Sequence, residues 1–245
     1  GAIGNDWVLG DKADAVIDEN TVLLHRKPAN RGTENKSAYV TESAVMRPLS
    51  EATLNQTVSA VFVLGETESK PDVGGALIAR CQGTKATNSN CYRFYARLGY
   101  DGKSNTNSDM VLYNSKNEIV YSSKKANTSP NLKSDTKYRL ELTVNSISSS
   151  ETKLTMLMYT IDSENVETLV FNQSTTDSDI NLQKAGTVGF SMYDWYGLNM
   201  RVDNFKFVSG GDEESYSDGY NDDFNRADGA IGNDWVLGDK ADAVI

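Results

Sequence analysis

From Val22 onward, apolar and polar residues alternate with a period of two, interrupted at short intervals by clusters of Gly, Asn, Ser and Asp. Tyr138, Leu140, Leu142 and Val144 alternate with Arg139, Glu141 and Thr143; Tyr92, Phe94, Ala96 and Leu98 alternate with Arg93, Tyr95 and Arg97. Successive side chains of an extended chain point to opposite faces, so each run buries one face and wets the other. The same reading predicts strands at 57–64, 75–80, 110–114, 118–123, 153–161, 167–172, 186–193 and 199–208. Turn-forming strings fall between them: GYDGKSNTNSD, NSKN, KANTSPNLKSD and NSISSSET. No segment carries a 3.6-residue apolar stripe. Many short strands without helices predict an all-β fold, a two-sheet sandwich or a closed barrel.

The alternation says nothing of a second regularity. Residues 1–17 read GAIGNDWVLGDKADAVI, and residues 229–245 repeat them without a change, an offset of 228 residues (229 − 1). Chance does not produce such an identity, and no fold requires it. Either the parent protein carries near-identical units in series, or the second copy was added to overlap the first; the native-looking NDDFNRAD ahead of it favours the first. The offset is far longer than a solenoid repeat, so each unit is expected to be an independent domain, one bead of a string. Between the units, 210–221 is rich in Gly, Ser and acids and reads as a short linker.

Several strings resemble a known group. DDFNRADGAIGNDW at 222–235 is similar to the opening of laminin-G-like, concanavalin A-like jelly rolls, modules of surface adhesins, secreted repeat proteins and phage tail fibres. ALIARCQ followed by NCYRFYARL resembles the group's Arg-ended strand and Tyr-rich strand, and TKYRLELTV, AGTVGF and RVDNF resemble its closing strands. The resemblance implies a two-sheet antiparallel jelly-roll sandwich. It does not imply an activity, because such folds host lectins, glycosidases and spacers alike. It also implies a unit that opens near Asp222, so that 1–209 is a jelly roll lacking its first strand, with a copy of that strand in 222–245. Asp222, Asp223, Phe224, Asn225, Arg226 and Trp235 are then the residues of a strand-completing segment. It either folds back beside 199–208 or reaches the open edge of the next copy, and units in line favour the second route.

The charge narrows the partners. The 245 residues carry 34 acidic and 24 basic side chains, a net charge of −10. That surface repels nucleic acid and anionic lipid, and no apolar run is long enough to span a bilayer. Neighbouring copies and glycans remain as partners, and an extracellular setting is expected, whether secreted, cell-surface or viral-fibre.

Cys81 and Cys91 flank a polar loop between two predicted strands, which reads as a disulfide across a hairpin, two buried thiols being the alternative. A zinc site lacks ligands, since His25 is the one histidine. That single histidine leaves a nucleophile without a base, and the Glu-x-Asp-x-Glu string that hydrolases of this fold carry is absent. Asp162, Glu164 and Glu167 read as a solvated turn. No enzyme is expected. Calcium is the candidate cofactor, because Asp222, Asp223, Asn225 and Asp228 crowd the opening segment and Asp203 should lie beside it; Asp-rich turns capping their own backbone are the alternative. A sugar platform is predicted from Tyr193, Trp195 and Tyr196, in a loop between the last two strands, with Arg93, Tyr95 and Arg97 on an outward face.

Overall fold

The computed structural model describes residues 8–9, 13–18, 21–26, 44–47, 52–64, 73–83, 86, 90–99, 107–194, 200–210, 219–222 and 229–230. Its strands are β1 (Val8–Leu9), β2 (Ala13–Asp18), β3 (Thr21–Arg26), β4 (Ala44–Met46), β5 (Gln56–Leu64), β6 (Val73–Cys81), β7 (Tyr92–Gly99) and β8 (Asn107–Tyr113). They continue as β9 (Ile119–Ser122), β10 (Lys137–Ser146), β11 (Thr152–Ile161), β12 (Glu167–Asp177), β13 (Thr187–Asp194), β14 (Met200–Ser209), β15 (Gly219–Asp222) and β16 (Gly229–Ala230). One helical turn, Ser123–Ala126, and a 3-10 turn, Ile180–Leu182, are the helical pieces among the described residues.

Every pairing between these strands is antiparallel. One sheet runs β1-β4-β13-β6-β7-β8-β9; the other runs β12-β11-β10-β5-β14-β3-β2-β16, with β15 also on β14. The chain is a two-sheet antiparallel jelly-roll sandwich. Each predicted strand is present, extended by a residue or more at several ends.

The period-two pattern does what the physics of a half-buried strand requires. Along β10, Tyr138, Leu140, Leu142 and Val144 are buried and Arg139, Glu141 and Thr143 are half-buried. Facing them from the other sheet are Leu77, Tyr92, Phe94, Leu112, Val188 and Phe190, all in one continuous core. Each such side chain contributes about 1.5–3 kcal/mol by leaving water. At the edge where β9 and β12 meet, Phe171 stacks on Phe94 (ring centroids 6.4 Å) and takes the edge of Tyr121 at 5.9 Å.

Two bulges keep the pattern in phase. Asn204, at φ 48°, sits where β14 gains one residue on β5 between Asp203 and Lys206. Arg80, at φ 47°, sits where β6 gains one on β13 between Ile78 and Cys81. An extra residue flips the alternation; here it returns Phe205 and Phe207 to the core and turns the Arg80 side chain inward.

Candidate functional site

The outward face of the seven-stranded sheet is the first candidate, and Arg93 and Tyr95 do not present exposed side chains on it. Arg93 is 1% exposed and Tyr95 6%, whereas Arg97 is half-buried. Arg93 donates from Nη2 to Asn114 O (3.4 Å) and Asn117 Oδ1 (2.8 Å), and its guanidinium lies 5.1 Å over the Tyr113 ring. Tyr95 meets Tyr113 edge-on at 5.7 Å, and burial pushes its hydroxyl pKa well up. This face carries an apolar cluster of its own, Ala44, Met46, Ile78, Cys81, Ala86 and Cys91. The alternation assigned Arg93, Tyr95 and Arg97 to the side away from the main core, where Arg93 and Tyr95 are buried. It did not reveal that this side is buried as well. Of the remaining sugar candidates, Tyr193 is a strand residue paired with Gly74, not a loop residue; Trp195 and Tyr196 lie outside the described residues.

The cysteines are not bonded. Both are buried thiols, and the Cys81 thiol shares a hydrogen bond with Cys91, which together with burial drives its pKa far upward. The expected disulfide is therefore corrected to a thiol pair in contact.

The second candidate is a seam of strands along β14. One edge of β14 is taken by β5. The other edge is shared end to end. Met200–Val202 pair with Leu24–Val22 of β3, and Phe205, Lys206, Phe207 and Val208 pair with Asp222, Asn221, Tyr220 and Gly219 of β15. Beyond β3 and β2, Gly229 and Ala230 pair with Ile17 and Val16. Gly219–Asp222 and Gly229–Ala230 thus pair within their own chain, the first of the two expected routes. The strand is also earlier than expected, at Gly219–Asp222, so that 219–221 of the supposed linker belong to the sheet. Phe224, Arg226 and Trp235 lie outside the described residues.

The seam bears on calcium. Asp222 lies opposite Phe205, two residues from Asp203, as the sequence implied. Asp203 itself accepts hydrogen bonds from the Asn204 amide (2.7 Å) and Asn204 Nδ2 (3.2 Å), the capping use of an Asp in a turn. Asp223, Asn225 and Asp228 lie outside the described residues. Among the described residues no group of three or more His, Cys, Asp or Glu side chains converges.

Of the acids expected to be a solvated turn, Asp162 and Glu164 form one, whereas Glu167 opens β12. Asp162 Oδ1 accepts from the amides of Glu164 and Val166, both at 2.9 Å, closing the hairpin between β11 and β12. Glu167 has a further role that the sequence did not suggest. It grips Arg139 through Nε (2.8 Å) and Nη2 (2.7 Å), while Glu141 takes Nη1 at 2.7 Å and the Tyr159 ring lies 3.9 Å beneath. Both glutamates are thereby committed to one guanidinium. His25 is in β3, opposite Asp14.

Arg80 is the strongest polar feature and was legible only as the end of an Arg-ended strand. Fully buried, it donates to Leu54 O (2.7 Å), Thr152 Oγ1 (2.8 Å), Leu182 O (2.9 Å) and Ser146 Oγ (2.9 Å). None of these acceptors is a carboxylate, and burial lowers its pKa. Beside it, Tyr92 Oη donates to Asp177 (3.1 Å), and Asp179 accepts from the Ser115 amide and hydroxyl. This network ties both sheets to the 3-10 turn at one end of the sandwich.

No protein-family model and no curated protein matches this sequence. Among solved structures, the Emp46p carbohydrate recognition domain is similar, with 16% identity over 82% of this chain and 87% of that one and a TM-score of 0.48. A PL-14 alginate lyase from Aplysia kurodai gives 10% identity over 82% and 88%, with a TM-score of 0.47. An engineered GH43 glycoside hydrolase gives 11% identity and a TM-score of 0.46; the chain covers 36% of its length, and 84% of the chain is matched. A carbohydrate recognition domain and two carbohydrate-cleaving enzymes thus stand side by side, and at these scores none of them carries an inference about this chain. Among the described residues no helix is long and apolar enough to cross a membrane.

Proposed function

We propose that this chain is a non-catalytic, extracellular module of a tandem-repeat protein, working in adhesion, stalk extension or filament assembly with neighbouring copies of itself as partners. The supporting observation is the seam: the end of the linker and the first residues of the next unit are hydrogen-bonded into the sheet of this one. Consecutive units that share strands in this way meet in a fixed, close arrangement, and identical units in series supply reach and multivalency. A protein of two consecutive units tests this. By small-angle scattering and sedimentation it should be a stiff, extended particle with the units in contact; two units tumbling independently would overturn the reading. Incubation with polysaccharides should release no products.

Glycan binding is the second reading. It is favoured by the aromatic run Tyr193-Asp194-Trp195-Tyr196, which leaves one sheet at the end of β13 and leads to Met200 in the other. Aromatic rings stack on the apolar faces of sugars. A glycan array should then show binding that Trp195→Ala abolishes, and an array without a hit would remove this reading and leave the first standing.

A further inference from the structure

The outer strand of a sheet carries backbone N–H and C=O groups without partners, and proteins keep such edges short, charged or kinked. Among the described residues, β1, β9 and β16 are sheet ends of two, four and two residues. β12 is a sheet end of eleven, paired on one side with β11 and open on the other. Its pairing is irregular at a single place, where Val170 is an extra residue between the pairs Leu169–Tyr159 and Phe171–Met158. From Phe171 to Asp177 the ladder is regular, a length of about 24 Å. Nothing along that stretch guards it. In a chain that is 24% charged, residues 168–176 carry no charge, no Pro and no Gly. The acids that bound the run are turned to partners of their own chain, Glu167 to Arg139 and Asp177 to Tyr92 and Asn114. Asn172, Ser174 and Thr176 are exposed, and Gln173 and Thr175 are half-buried. Leu169 and Val170 at the head of the strand, and Ile180 just past its foot, are exposed apolar side chains.

We infer that β12 is a docking edge for a second copy of this chain, the two strands running antiparallel about a two-fold axis at Ser174, so that two nine-stranded sheets join into one. Given the proposed role of neighbouring copies as partners, on which this rests, the edge gives them a lateral surface distinct from the seam. Three features select this occupant. The chain has a net charge of −10, so two copies repel one another unless they meet where charge is absent. An open edge needs N–H and C=O groups in alternation, and the same edge of a second copy supplies them in a self-complementary, closing contact. About Ser174, Asn172 stands opposite Thr176 and Gln173 opposite Thr175; these are uncharged pairs able to hydrogen-bond across strands, and Val170 stays outside the ladder. The head of each strand then meets the foot of the other, which covers Leu169 and Val170 of each copy with the Ile180 end of its partner. A pairing of this length buries less than a standard interface, so a single unit dimerises weakly and identical units in series add their contacts.

The test is sedimentation equilibrium of the whole chain from about 10 µM to about 1 mM, which should show a shift from one chain toward two. Ser174→Lys sets two ammonium groups against each other at the axis. It should weaken association at least about tenfold and leave thermal unfolding at low concentration unchanged. Ser174→Cys should give a disulfide-linked dimer on diamide oxidation, because residues facing each other across the axis lie about 4.5–5.5 Å apart at Cα. Ser150→Cys, in the exposed turn between β10 and β11, should link far more slowly. A chain that stays single at the highest concentration, a dimer that Ser174→Lys leaves intact, or equal linking at 150 and 174 would overturn the inference. Linking through position 174 decides it even if the lysine variant does not fold. None of these outcomes alters the scattering of two consecutive units, which reports contact along one chain rather than between chains.

Discussion

Replacing Arg80 by methionine removes the centre of the polar network while keeping most of the side chain's length and volume. The four side-chain donations to Leu54 O, Thr152 Oγ1, Leu182 O and Ser146 Oγ disappear. The hydroxyls can turn to other partners, and Thr152 already donates to Gln183 Oε1 at 2.8 Å. The carbonyls cannot. Leu182 O is buried and Leu54 O partly so, and a buried acceptor left unmade costs about 1–3 kcal/mol. Against this stands the return of a charge buried without a counter-ion, worth about 1–2 kcal/mol to the variant. The backbone contribution is unchanged, since the Arg80 amide still reaches Gln56 Oε1. The net expectation is a loss of about 2–3 kcal/mol in urea unfolding, or roughly 4–12 °C in Tm. Arg80→Lys should lose as much, because an ammonium keeps the buried charge and lacks the planar fork that serves four acceptors. A methionine variant within about 0.5 kcal/mol of the parent, or a lysine variant that restores stability, would show that the network is not what closes this end of the sandwich.

Gly186→Ala should be destabilising by about 1–3 kcal/mol, since its Cβ would stand 2.4 Å from the Arg80 carbonyl carbon, a backbone atom that has no room to retreat; unchanged urea unfolding would refute the close approach. Burial is the main cause holding the hydroxyls of Tyr92, Tyr95 and Tyr138 above the ordinary value of 10.0. The unfolded chain therefore releases these protons first, so their contribution is complete below about pH 10 and lost as pH rises past it. Unfolding followed from pH 8 to 11 should show that fall, and Tyr95→Phe should lessen it; a flat profile would mean these hydroxyls are solvated. Adding calcium to chelator-treated protein should raise Tm if Asp203 and the acids from Asp222 onward converge on a cation, whereas coincident transitions would refute that convergence.

Much of the fold could be read before any coordinates. The alternation along 138–144 and 92–98 named the buried faces of β7 and β10 correctly, because a strand's period is fixed by backbone geometry and a core-facing position must be apolar. The acidic turn at Asp162–Glu164 was equally legible, since Asp hydrogen-bonding its own backbone is local chemistry. What failed depended on partners distant in sequence. Arg93 and Tyr95 occupy the polar side of an alternating strand, and alternation alone cannot tell a wet outer face from one that is buried too. The role of Glu167 on Arg139 required two strands separated by β11 to come within reach.

The amino-acid sequence by itself determined the all-β class, the strand positions to within a few residues and the duplicated segment. These follow from short-range rules: period, turn chemistry and identity. Only the tertiary structure decided that Gly219–Asp222 lies on β14 of its own chain and that Arg80 enters the core through a left-handed bulge. Each of these depends on register, and register is set by how two whole sheets pack, where a shift of one residue reverses every side chain.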